Sequence, residues 1–381
     1  MEINTKVSEF TTPLYLDSGR ILEPYRLIYE TYGEPNEDKS NVIVVCHAFS
    51  GSHHAAGKYE NDTKAGWWDS LIGDSKAIDT KKYFVICINT IGSCYGSTGP
   101  KSENPKTRRS YGLKFPVITI RDMVRAQKTL LATLGIFKVK AIVGGSMGGM
   151  QALSFAVSYP GFAEIVIPMA ATHATSPWVI GLNKVASAAL LADPAFKDGN
   201  YDTGEIRASG LGGLSAGRMA GYLGYLSPEG MDGKFGRRYV ADDGLFELFG
   251  RFEVERYLDY NGANFVKWFD PLSFLYLSKA INIFDISYGY DSLDDALSKI
   301  TDSLYLISFK GDTMFFPREM QAIHQKMHKN GQENCSYICI DSDYGHDAFL
   351  VETDKFSDLV YDILDGKGRI VTGKQIGRAH V

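Results

Sequence analysis

Apolar residues in this chain cluster in short, nearly continuous runs. Asn41-Val42-Ile43-Val44-Val45-Cys46, Tyr83-Phe84-Val85-Ile86-Cys87-Ile88, Ala141-Ile142-Val143 and Ala163-Glu164-Ile165-Val166-Ile167-Pro168-Met169 are such runs, as are Leu304-Tyr305-Leu306-Ile307-Ser308-Phe309 and Ser336-Tyr337-Ile338-Cys339-Ile340. They are rich in β-branched residues and lack the alternation of a strand with one wet face, so they predict strands buried on both sides. Between them the period lengthens. Met123, Val124, Leu130, Leu131 and Leu134 fall near one helical face; Thr119 and Asp122 can form a capping box, and Gly135 stops the helix. Further helices are expected over residues 317–327 and 349–364. Alternating strands and helices predict an α/β class: a mostly parallel sheet covered by helices on both faces. Residues 14–20 and 25–33 alternate in the antiparallel manner.

From 172 to 285 the strand-like runs vanish, and helical stretches are expected over 182–191, 218–226, 245–260 and 273–281. This divides the chain into a core domain (1–171 and 286–365) and an inserted helical cap, or lid (172–285). Residues 366–381 have no apolar period and read as a disordered or appended tail.

Composition narrows the function classes. The 381 residues are 44% hydrophobic with a net charge of −5, and no Lys/Arg block forms a nucleic-acid stripe. No apolar run reaches membrane-spanning length, and the first residues lack a signal core, so a cytoplasmic enzyme is expected. Five cysteines without C-x-x-C spacing argue against a disulfide framework or a zinc site. No metal is expected.

The chemistry centres on Gly144-Gly145-Ser146-Met147-Gly148-Gly149, where a strand meets a helix. A serine in that turn presents an exposed hydroxyl, and the N–H of Met147 at the new helix start points at a developing oxyanion. Gly213-Leu214-Ser215-Ala216-Gly217 fits the same pattern but follows no strand, and reads as a flexible loop. On sheets of this kind the triad runs Ser, Asp or Glu, His along the chain. Of eight histidines, only His346 lies in the loop after the last strand. His324 and His328 share a polar helical stretch, with no third ligand beside them. Asp312 follows the preceding strand directly; Asp302 begins that strand, and Asp341 and Asp343 share the histidine's own loop. Ser146, Asp312 and His346 are therefore the expected triad, with Phe49 after the first buried strand as the second oxyanion donor.

Gly144 to Leu153, Gly345-His346-Asp347-Ala348-Phe349-Leu350, Gly66-Trp67-Trp68-Asp69 and Thr119 to Gln127 resemble the homoserine O-acetyltransferases of the α/β-hydrolase fold, over residues 10–365. The resemblance implies a ping-pong transfer in methionine biosynthesis, with acetyl-CoA as donor substrate, L-homoserine as acceptor, no cofactor, and a homodimer through the cap. It assigns Arg218 and Tyr225 to the acceptor pocket and Asp347 to the acceptor's ammonium group. Departures from the family pattern fall at Phe49, Ser93 and Lys184. Relatives that use succinyl-CoA or accept serine, and esterases with the same triad, are the alternative readings.

Overall fold

The structure, a computed structural model, describes residues 3–60, 62–241 and 246–366. Beyond Gly366, the expected tail lies outside the described residues. Eight strands form one sheet: β1 (Asn4–Phe10), β2 (Tyr25–Tyr32), β3 (Val42–Cys46), β4 (Phe84–Ile88), β5 (Val139–Gly145), β6 (Ala163–Met169), β7 (Ser303–Phe309) and β8 (Cys335–Ile340). Their order is β1-β2-β4-β3-β5-β6-β7-β8. The β1–β2 and β2–β4 pairs are antiparallel and the rest parallel. Alternate residues of the buried strands serve opposite layers: Val42, Val44 and Cys46 join one apolar cluster, Ile43 and Val45 the other.

Helices α1 (Ile120–Thr133), α2 (Met147–Ser158), α9 (Leu293–Ser298), α10 (Pro317–Lys329), α11 (Ala348–Val351) and α12 (Ser357–Leu364) cover the sheet. Helices α3 (Pro177–Ala192), α4 (Thr203–Ser209), α5 (Gly212–Tyr225), α6 (Pro228–Phe235), α7 (Glu253–Val266) and α8 (Pro271–Asn282) lie in the excursion between β6 and β7. That excursion leaves and returns through a neck, where Ala174 pairs with Asp285 and Ile286 N–H donates to the His173 carbonyl at 2.9 Å. The predicted capping box of α1 is present: Thr119 Oγ1 accepts from Asp122 N–H at 3.0 Å, and Asp122 Oδ2 from Thr119 N–H at 2.9 Å.

Three expectations are corrected. Gly213-Leu214-Ser215-Ala216-Gly217 is no loop but the start of α5. A Cβ on Gly213 would lie 2.8 Å from the Leu190 Cα, and one on Gly217 3.2 Å from the Ala186 carbonyl oxygen. The glycines let α5 press against α3, and buried Leu214 offsets their weak helix propensity. Of the helix expected over 245–260, Leu245 lies outside the described residues, and from 246 on the helix begins only at Glu253, because Phe252 pairs with Tyr239 and its N–H donates to Glu255 Oε2 at 2.7 Å. The closing helix over 349–364 breaks at Glu352 into α11, a 3-10 turn (Thr353–Lys355) and α12. The break turns Phe356 into the core against Phe309, ring centroids 5.6 Å apart, while Thr353 Oγ1 hydrogen-bonds to Ser70 Oγ at 2.8 Å.

The strand order reverses direction between β3 and β5, and the crevice outside the carboxyl ends of such neighbours is where open α/β sheets bind ligands. The register pairs Cys46 with Gly144, which sets the loop after β3 beside the turn after β5.

Candidate active site

Ser146 occupies that second turn with φ 58° and ψ −126°, a conformation L-residues rarely adopt. Its neighbours explain how the turn is held. A Cβ on Gly144 would sit 2.5 Å from the Gly148 carbonyl oxygen, and one on Gly148 would run into the Cys46 carbonyl, so both positions need glycine. The N–H of Ser146 donates to the Met169 carbonyl at 2.9 Å.

The three residues expected as a triad meet here. Ser146 Oγ is 2.8 Å from His346 Nε2, and His346 Nδ1 is 2.9 Å from Asp312 Oδ2. With the proton on Nδ1, that nitrogen donates to Asp312 and Nε2 accepts from the serine hydroxyl. Asp312 is held in turn: its Oδ1 accepts from the N–H groups of Met314 and Phe315, both at 2.9 Å. Burial alone would push the His346 imidazole down. The Asp312 carboxylate, by charge and by hydrogen bond, outweighs it with help from Asp347, and leaves His346 above its ordinary value. The rejected carboxylates lie elsewhere: Asp302 is buried at the opposite end of β7, and Asp341 is exposed and paired with Lys310 at 3.2 Å.

Met147 is the first residue of α2, and Phe49 lies three residues past β3. The loop that carries Phe49 is fixed by contacts the sequence reading missed. His47 is fully buried; its Nε2 accepts from Thr90 N–H at 3.0 Å, so its Nδ1–H donates to the Ala48 carbonyl at 2.8 Å. Burial pushes this imidazole down to about 4. Gln151 Nε2 donates to the carbonyls of His47 at 3.1 Å and Met147 at 3.2 Å, and Gln127 Nε2 donates to Gln151 Oε1 at 2.7 Å. The signal in the sequence was a glutamine amid the apolar residues of α2.

The cavity over Ser146 is bordered by Phe49, Leu182, Asn183, Tyr225, Met314 and Phe315 among others. Tyr225 lies 6.0 Å, ring to ring, from His346. Behind it, Arg218 Nη1 donates to the Tyr225 hydroxyl at 3.3 Å, and the guanidinium carbon lies 4.8, 4.9 and 4.6 Å from the rings of Tyr222, Tyr225 and Phe265. Such a cage holds a cation by ring quadrupoles without neutralising it. Asp347 adjoins His346; burial raises its carboxyl above the usual range, and the charges of His346 and Arg218 pull it back. Of the other histidines, His53 and His54 lie 3.6 and 3.0 Å from buried Glu30. No group of three or more His, Cys, Asp or Glu among the described residues is arranged to hold a metal ion.

A family profile described as alpha/beta hydrolase fold matches residues 41–353. The homoserine O-acetyltransferase of Nautilia profundicola is 62% identical, covering 96% of this chain and 100% of its own length. That of Sulfurimonas autotrophica is 59% identical over 96% and 100%. Among solved structures, the homoserine O-acetyltransferase from Bacillus anthracis superposes with a TM-score of 0.89 at 30% identity, over 97% of this chain and 99% of that one. Esterase E22 superposes with a TM-score of 0.86 at 30% identity, over 95% and 100%.

Proposed function

Because this chain belongs to the homoserine O-acetyltransferases, acyltransferases of the α/β-hydrolase fold, we propose that it moves an acetyl group from acetyl-CoA to the hydroxyl of L-homoserine in two steps through an acetyl-serine. His346 takes the Ser146 proton as Oγ attacks the thioester carbonyl, and the oxyanion is received by the N–H groups of Met147 and Phe49. The thiol leaves with the proton from His346. The homoserine hydroxyl then gives its proton to His346 and attacks the acetyl carbon, and Ser146 recovers the proton as its bond to that carbon breaks. Asp312 orients the imidazole and stabilises its charged form. No cofactor takes part.

The arrangement that carries this reading is the Tyr225 wall. The ring faces His346 on one side, and its hydroxyl accepts from Arg218, so the base of the transfer and a cation suited to the acceptor's carboxylate are linked through one side chain. Asp347 supplies the opposite charge for the ammonium group. Residues 172–285 act as the cap that keeps water from the acetyl-serine. Exposed Trp178, Val185 and Leu191 on α3 and Leu223 on α5 suit burial in a homodimer through that cap. The product would enter methionine biosynthesis in the cytoplasm; no helix among the described residues is long and apolar enough to cross a membrane.

The similarity to an esterase keeps hydrolysis as the second reading. Release of free CoA from acetyl-CoA, measured with and without L-homoserine and beside Ser146→Ala, separates the two. Release that depends on homoserine and vanishes in the variant supports the transferase, and equal release without acceptor overturns it. Succinyl-CoA and L-serine in place of the two substrates test the neighbouring specificities.

A further inference from the structure

A second cavity, of about 210 Å³, is bordered by Arg26, Ser93, Cys94, Lys101, Arg207 and Ser273. It lies back to back with the Ser146 cavity across a wall of aromatic rings. Phe49 packs on Phe269 and Phe274 with centroids 5.6 and 5.3 Å apart, and Tyr95 lies 6.2 Å from Phe269. Neighbours on α8 face the two sides: Ser273 borders this cavity, Phe274 the other.

Its charge is one-sided. Arg26 comes from β2, Lys101 from the loop after β4 and Arg207 from α4, and among the described residues the only lining carboxylate is Asp270, so three positive groups face one negative. Asp270 is already engaged: its Oδ2 accepts from the Tyr201 hydroxyl at 2.6 Å, and its Oδ1 from Ser273 N–H at 2.9 Å. Arg26 Nε donates to the Gly96 carbonyl and Lys101 Nζ to the Tyr201 carbonyl, at 2.9 and 3.3 Å. Among the described residues, none of the three cations forms an ion pair with a carboxylate.

The cavity also holds hydroxyls with nothing to bond. Ser93 is 2% exposed and Ser273 1%, and the Oγ of each has no hydrogen-bond partner. Buried polar groups are rarely left so.

We propose that this cavity binds phosphate groups: the three cations hold the charge, and the Ser93 and Ser273 hydroxyls donate to the anionic oxygens. A phosphate accepts from many donors at once and needs surplus positive charge, and the cavity supplies both. Two sources share that chemistry. One is the nucleotide end of the acyl-CoA donor, which rests on the function proposed above; the other is a free phosphorylated small molecule.

The test is calorimetric titration of inorganic pyrophosphate and of CoA into the wild type and the Lys101→Gln/Arg207→Gln double variant. Both substituted side chains are exposed, and a melting curve confirms that the variant folds. The variant is expected to bind at least one of the two ligands about tenfold more weakly or worse, the loss of a charge-assisted contact. Steady-state runs then place the source. If the cavity serves the donor, KM for acetyl-CoA rises in the variant while KM for phosphate-free S-acetylpantetheine holds, and pyrophosphate competes with acetyl-CoA. If it serves a separate ligand, both KM values hold and pyrophosphate binds without competing. Equal binding of both ligands by wild type and variant overturns the site. Binding is read without turnover, so an enzyme that failed to use homoserine would leave this result standing.

Discussion

Gln151 Nε2 donates at 3.1 Å to the carbonyl of His47, and so ties the helix that starts after Ser146 to the loop that carries Phe49. The two proposed oxyanion donors stand on the two sides of this contact. Their spacing is therefore held by a side chain that is fully buried and does not border the Ser146 cavity.

Replacing Gln151 by Leu leaves the His47 carbonyl and the Gln127 amide without partners in a buried site, at a cost of roughly 1–3 kcal/mol each. A melting temperature lower by several degrees is expected. Because the oxyanion donors are needed most in the transition state, kcat should fall about tenfold or more with a smaller change in either KM. A variant that loses stability but keeps kcat would make Gln151 structural only.

Asp312→Asn keeps the shape that accepts from Met314 and Phe315 through one oxygen, but it removes the charge beside His346. The loss in kcat should be of order 10³–10⁴, as for the corresponding change in serine proteases, with melting behaviour close to wild type. A loss below tenfold would show that His346 is oriented by something else.

The strands and the meeting of Ser146, His346 and Asp312 were legible in the sequence because their causes are local. An unbroken β-branched run reads as a strand buried on both faces, and a serine between paired glycines after such a run reads as an elbow. The ordered positions of Asp312 and His346, each just past a strand, then place both at one rim. What stayed hidden depends on partners distant in sequence. Gly213 and Gly217 look like loop glycines until α3 is packed against them, and nothing near Thr353 announces the contact with Ser70 that breaks the last helix. The convergence of Arg26, Lys101 and Arg207 joins segments whose proximity only the folded chain reveals.

If His346 is the base of the proposed transfer, it must be neutral to accept a proton, so activity should rise with pH through an inflection above the ordinary histidine value of 6.5, since Asp312 holds His346 raised. Stability runs the other way. A histidine whose folded pKa is raised contributes fully below the unfolded value and loses that contribution as pH rises through the folded one. In Asp312→Asn the inflection of kcat/KM should move downward. A profile with its inflection unmoved would assign the titration to another group.

Asp302, rejected as the triad acid, has its own signature. Burial pushes its carboxyl up to about 6 from 3.8. The contribution of this group to stability is full below the unfolded value and lost as pH rises through about 6, so at pH 8 the folded protein carries a buried charge. Asp302→Asn removes that charge, and should raise stability by something of order 2 kcal/mol at pH 8 while giving no such gain at pH 4. Melting curves at the two pH values decide it, and a gain equal at both would point to packing instead of charge.

Arg218 separates the transferase reading from the esterase one. A guanidinium caged by Tyr222, Tyr225 and Phe265 can present two parallel N–H groups to a carboxylate, whereas lysine offers a point charge and cannot keep the fork. Arg218→Lys should therefore raise KM for L-homoserine by about ten- to a hundredfold, the loss of one charge-assisted contact, and leave the first half-reaction untouched. The readout is a split: the burst of CoA on mixing with acetyl-CoA keeps its rate, while turnover at low homoserine collapses and recovers as homoserine is raised. A burst that slows along with turnover would place Arg218 at the acetyl transfer to Ser146 and remove it from the acceptor site. An esterase acting with water alone would show neither change, because no carboxylate would need to be held while the acetyl group moved.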